Sequence, residues 1–200
     1  MHKSSSARGP QLILACMVLG IGVGLVLTAR LGSDGYSSLV NGIVRATGVP
    51  YAVVNPATGL LAVLLARLRH VRPGPGTIVH PIVVGSTVNV VLSSLGTPHT
   101  SIARVALLVV GTLVLAAGVA GYLDAELGAG PFESLALAVP LSFRLAYILL
   151  QAAAATTGWI LGADIGPGTL LVIFGVGPVI HMVRHCLCRY RAATRWGGGV

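Results

Sequence analysis

Long apolar runs alternate with short polar or basic connections along the whole chain. The runs cover residues 11–29, 51–66, 77–95, 103–123, 143–161 and 169–187. A helix needs about 17–25 apolar residues to cross the hydrocarbon of a bilayer, so this pattern predicts six transmembrane helices, the second being the shortest. Two connections, 35–47 and 130–142, are too apolar to be simple loops. Each predicts a short helix that enters the membrane or lies on it without crossing, because irregular backbone inside a bilayer must be shielded by protein.

The basic residues sort by side. With the N-terminus inside, six spans place Lys3, Arg8, Arg67, Arg69, Arg72, Arg144, Arg184, Arg189, Arg191 and Arg195 in the cytoplasm. Arg30, Arg45 and Arg104 fall outside. Ten cations against three is a clear positive-inside bias and predicts that both termini are cytoplasmic. The segment 188–200 reads as a basic cytoplasmic tail that can lie on anionic lipid.

Composition agrees with this pattern. Only 9% of the 200 residues are charged, against roughly 25% for a soluble domain. A chain so poor in charge cannot cover its own surface with polar groups. The net charge of +8 raises nucleic acid as a partner, but the cations are spread between apolar spans rather than gathered on one face. Twelve of the thirteen cations are Arg, and with the Ala, Gly and Val bias this suggests a GC-rich bacterial genome. The three cysteines form no disulfide pattern. His181, His185, Cys186 and Cys188 have helical spacing, yet read as a helix end rather than a metal site. Lys3 and Arg8 before an apolar run resemble a signal peptide, but the run continues to Thr28, so it reads as a retained first span.

The chain also repeats itself. Residues 29–39 read Ala-Arg-Leu-Gly-Ser-Asp-Gly-Tyr-Ser-Ser-Leu, and 125–135 read Ala-Glu-Leu-Gly-Ala-Gly-Pro-Phe-Glu-Ser-Leu. A second block, Gly-Pro-Gly-Thr at 74–77 with Gly85 and Asn89, returns at 166–169 with Gly177 and His181. Two matched blocks in the same order argue for duplication. Repeat 1 spans about 11–95 and repeat 2 about 103–187 of a single membrane domain. Three spans per repeat is an odd number, so the second copy enters the membrane upside down. The expected fold is therefore all-α: two inverted three-helix repeats, each with a short re-entrant or interfacial helix. Secondary transporters are often built this way, with substrate held near the midplane between repeats. Duplication can equally build a helical bundle that transports nothing.

The motif residues have physical roles. Gly32 and Gly128 can adopt positive φ and end the preceding helix. Gly35 and Pro131 redirect the chain, and Pro in a first helical turn loses no needed N–H. Ser33 or Asp34 can cap the short helix that follows. The N-terminus of that helix is suited to an anionic group. Thr77 and Thr169 open the third and sixth spans, and Gly85 and Gly177 let helices approach closely.

The motifs resemble the YczE/YyaS/YitT group of bacterial integral membrane proteins, and most closely its YczE-like branch. The resemblance is carried by Leu31-Gly32 with Tyr36, by Leu127-Gly128 with Gly130-Pro131-Phe132, and by the Gly-x-Gly-Thr turns. It covers about 170 residues in both halves. The group's Gly-x-x-Pro-[Trp/Phe]-[Asp/Glu] pattern is intact at 128–133. The first half departs from it, with Gly35 for Pro and Ser37 for the acid. The resemblance implies a multi-pass protein of the bacterial cytoplasmic membrane and supplies no substrate.

Ionisable and polar residues inside a membrane are costly and point to function. Glu133 is the foremost candidate for a buried acid, with Asp34, Tyr36 and Phe132 in the same motifs. Asn89 and His181 occupy equivalent deep positions and can converge at the midplane on a substrate or proton, or simply bond between helices. His80 and Gln151 have less support, and Asn55 before Pro56 suggests a kink. No nucleophile triad, phosphate-binding loop or zinc-protease motif is present, so neither enzyme activity nor a cofactor is expected. The function expected is a small secondary transporter or permease for a small molecule or ion, with the lipid bilayer and a second copy of the chain as the partners considered. The alternative is a non-transporting membrane protein that binds or regulates partners.

Overall fold

The computed structural model describes residues 5–196, with side chains described for 8–183 and 185. The described residues are all helical apart from connections: α1 (Ser5–Ala29), α2 (Gly35–Thr47), α3 (Tyr51–Leu68), α4 (Pro75–Ser94), α5 (Ser101–Ala125), α6 (Pro131–Ala138), α7 (Phe143–Ile160) and α8 (Pro167–Trp196). The tail beyond 196 and the side chains of Arg189, Arg191 and Arg195 lie outside the described residues.

Four helices are long and apolar enough to cross a membrane: α1 from Arg8, α3, α4 and α5. The protein is thus an all-helical chain with the character of a multi-pass membrane protein. α7 is as long as α3 but carries Arg144 and Gln151, and α8 contributes the shorter apolar stretch Pro167–Val183. The outer surface fits a lipid solvent, with Leu60, Leu64, Val90, Val110, Leu149 and Phe174 all exposed.

Local chemistry sets the helix boundaries. Asp34 caps α2, its Oδ2 accepting from the Ser37 N–H at 3.0 Å. Gly48, at φ 72°, ends α2 by donating its N–H to the Val44 carbonyl at 2.8 Å. Pro75, Pro131 and Pro167 each stand at the start of a helix, where the missing N–H has no partner to lose. Thr100 caps α5 by accepting from the Ala103 N–H at 3.2 Å.

α1 and α5 end differently from expectation. Their left-handed terminating residues are Arg30 at φ 53° and Glu126 at φ 54°, not the glycines of the Leu-Gly motif. Arg104 secures the first of these ends, donating from Nε to the Ala29 carbonyl at 2.9 Å and from Nη2 to the Arg30 carbonyl at 2.6 Å. Gly32 (φ 101°) and Gly128 (φ 127°) follow two residues later and serve close approach. A Cβ on Gly32 would lie 2.9 Å from the Thr169 nitrogen, and one on Gly128 would lie 2.9 Å from the Gly74 Cα.

α1 and α5 form the central pair. α4 packs on α1 and α8 on α5; α2 lies along α7 and α6 along α3. The centre is close because its residues are small. Gly22 leaves room for Leu115, and Gly118 leaves room for Leu19. Small residues draw helices together where lipid gives no hydrophobic drive for association.

Candidate functional site

The short helices begin deep inside the bundle rather than at its edge. Gly35, the first residue of α2, sits against Gln151, halfway along α7, and Gly42 sits against Gly158 near that helix's end. α2 therefore runs parallel to α7 from its middle to its end. Pro131, the first residue of α6, lies against Gly59, halfway along α3. The two short helices start beside each other: the Tyr36 and Phe132 rings are 5.0 Å apart, tilted by 39°.

Hydrogen bonds fix this junction. The Tyr36 N–H donates to Gln151 Oε1 at 2.9 Å, and Gln151 Nε2 donates to the Tyr147 hydroxyl at 2.9 Å. The Tyr36 hydroxyl donates to the Asn55 carbonyl at 3.2 Å and lies 3.1 Å from the Thr58 hydroxyl. Asn55 precedes Pro56, and its amide donates to the Pro81 carbonyl at 2.7 Å, tying α3 to α4. The Ser33 and Ser38 hydroxyls are 3.0 Å apart, closing the turn into α2.

Each short helix carries one acid at its N-terminal end. Asp34 is the cap of α2 and Glu133 the third residue of α6, its carboxylate folded back over Gly130. Both are half-buried, with protein packed around them. The two acids lie within electrostatic reach of each other. Tyr36, Tyr51 and Tyr147 lie within reach of Asp34, and Tyr36 and Tyr147 also of Glu133. Such a group can bind or release a proton. The described residues contain no cluster of three or more His, Cys, Asp or Glu with metal-binding geometry.

The chain belongs to the DUF6198 family. That family is of unknown function, and the match runs over residues 7–185. The chain is also 28% identical over 182 residues to an uncharacterized protein of Haemophilus influenzae, covering 89% of this chain and 84% of that one. No solved structure matches the chain.

Of the residues named from sequence, Asp34, Tyr36, Phe132 and Glu133 come together at this junction. Asn89 is half-buried on α4 and His181 exposed on α8. No hydrogen bond, ion pair or ring contact among the described residues ties either of them to the group. The motif threonine Thr77 has two bonds, accepting from the Gly74 N–H at 3.1 Å and donating to the Ala129 carbonyl at 2.7 Å. Thr169 accepts from the Gly166 N–H at 3.5 Å. Gly85 fits under Asn55, whereas Gly177 has nothing within 4 Å. Gln151 and the tyrosines 51 and 147 are more central than sequence suggested. A polar Gln within an Ala-rich apolar run was the one available signal. His80 lies against Tyr122 with ring centroids 5.0 Å apart and planes tilted by 55°, and its Nδ1 is buried without a partner among the described residues.

Proposed function

We propose that the protein is a small secondary transporter of the bacterial cytoplasmic membrane, built from two inverted repeats and belonging to the YczE-like branch its motifs resemble. In this reading α1, α3 and α4 cross as one triplet and α5, α7 and α8 as the other, with both termini cytoplasmic. α2 and α6 are re-entrant half-helices.

The contacts that recur between the halves support the inversion. Gly76 N–H donates to the Leu127 carbonyl at 2.9 Å, and Gly168 N–H donates to the Leu31 carbonyl at 2.8 Å. Ser38 Oγ lies 3.4 Å from the Ser33 carbonyl, and Ser134 Oγ lies 3.4 Å from the Ala129 carbonyl. Gly22 meets Leu115 as Gly118 meets Leu19. Each of these pairs is related by the sequence offset of the repeat or by a value close to it.

One observation carries the functional reading: two half-helices begin side by side at mid-bundle, each with a carboxyl at its N-terminal end. Broken helices that meet at the centre of inverted repeats are where secondary transporters hold substrate and coupling ion. Acids in that position suit proton coupling or a cationic solute, because the membrane makes an unused buried charge costly.

The test is flux in proteoliposomes carrying an internal pH-sensitive dye, challenged with a broad panel of labelled small solutes and monovalent cations. At least one solute should move, and Glu133→Ala should abolish that movement while the variant keeps its thermal stability in detergent. A full panel without flux, together with co-purification of one specific partner protein, would replace this reading with that of a non-transporting partner-binding protein.

A further inference from the structure

A second polar site lies away from the acid pair, where α1 ends, α2 approaches its C-terminus and α4 finishes. A cavity of about 160 Å³ opens there, lined among others by Thr28, Arg30, Asn41, Arg45 and Thr97. Its walls are polar in a protein whose surface is mostly apolar. The space holds several water molecules or one small ion and is too small for a nucleotide.

Three side chains decide its chemistry. Asn41 is only 8% exposed, yet its amide has no hydrogen-bond partner among the described residues. Its amide atoms keep accessible surface on the cavity rather than being sealed in protein, so the amide can donate to a group that enters. Arg45 is held at the wall by Asp164 and by the Gly162 carbonyl, which accepts from Nη1 at 2.7 Å. Arg30 is placed by its left-handed backbone at the end of α1, and its guanidinium has no ion pair or hydrogen bond among the described residues. Thr28 is already committed, donating to the Gly24 carbonyl at 2.8 Å.

The charge balance is positive. Asp164 neutralises Arg45, leaving Arg30, and Arg104 behind it bonds only to backbone carbonyls. We infer that this cavity binds a phosphate-class oxyanion, held by Arg30 and Arg45 with the Asn41 amide completing the set. Guanidinium groups present paired donors at the spacing of phosphate oxygens, and an amide N–H₂ adds a neutral donor. The cavity sits at helix ends, where either free phosphate or the phosphate of a lipid headgroup can enter. The inference does not depend on the transporter reading: the site shares no residue with the acid pair.

The experiment uses the full chain, the wild type alongside Arg30→Gln and Asn41→Leu. Arg30 is exposed, so its substitution leaves folding intact, which thermal unfolding without added anion confirms. Inorganic phosphate is titrated into delipidated protein in neutral detergent, with chloride at matched ionic strength as the control. In parallel, protein purified with native lipid is analysed by mass spectrometry for retained anionic phospholipid. Phosphate-specific stabilisation of the wild type, weakened roughly tenfold or more in both variants, supports a free-phosphate site. Anionic lipid retained by the wild type and lost from both variants supports a headgroup site. If wild type and variants respond alike to phosphate and retain the same lipid, the cavity holds only water and the inference is overturned.

Discussion

Gly118→Ala tests the central packing most directly. A Cβ at this position would lie 2.5 Å from the Leu19 Cα and 2.8 Å from its Cβ. Ordinary contact begins at 3.4 Å, so α1 and α5 must separate by about 0.9 Å to admit a single methyl group. The obstacle is backbone, which cannot rotate aside. Overpacking of this kind costs about 1–3 kcal/mol. Ala gains up to about 1 kcal/mol over Gly in helix propensity, which offsets part of that. A loss of up to about 2 kcal/mol remains after the full offset, equivalent to a midpoint up to about 8 °C lower for a chain of this length. The assay is thermal unfolding in detergent, followed by intrinsic fluorescence and by size exclusion after heating. Gly177→Ala is the control: nothing lies within 4 Å of that position, so propensity alone acts and the midpoint should hold or rise slightly. If Gly118→Ala is as stable as Gly177→Ala, the α1–α5 contact does not depend on the missing side chain and the packing argument fails.

Other substitutions probe the junction and the rim. Gln151→Leu leaves the Tyr36 N–H and the Tyr147 hydroxyl unpaired and should cost about 1–3 kcal/mol by thermal unfolding, with no loss expected if water replaces the amide. Asp164→Asn breaks a pair whose side chains are about one-third exposed, so it should cost less than about 1 kcal/mol, checked in the same unfolding assay.

Sequence alone determined the character of the chain. Its scarcity of charge, its long apolar runs and the helix-bounding Gly and Pro residues are local properties. They placed the short helix at 35–47 to the residue, because Asp34 and Gly48 are caps legible without any neighbour. The second short helix is less sharply bounded: the apolar stretch 130–142 yields α6 only over Pro131–Ala138, since Val139 turns extended before Pro140. The motifs also brought forward Asp34, Tyr36, Phe132 and Glu133, because a repeated pattern marks positions independently of what they touch.

The tertiary structure decided the rest, because distance across a bundle is invisible to periodicity. That Tyr36 lies on Phe132, and that Gln151 receives the first turn of α2, depends on where α7 runs. That Gly32 and Gly128 serve close approach while Arg30 and Glu126 end the helices depends on which backbone packs beside them. The oxyanion cavity joins Arg30, Asn41 and Arg45 with Asp164, from loops and helices far apart in sequence. A chain of apolar helices announces its solvent in its composition, whereas its few polar groups acquire meaning only from the partners that folding brings to them.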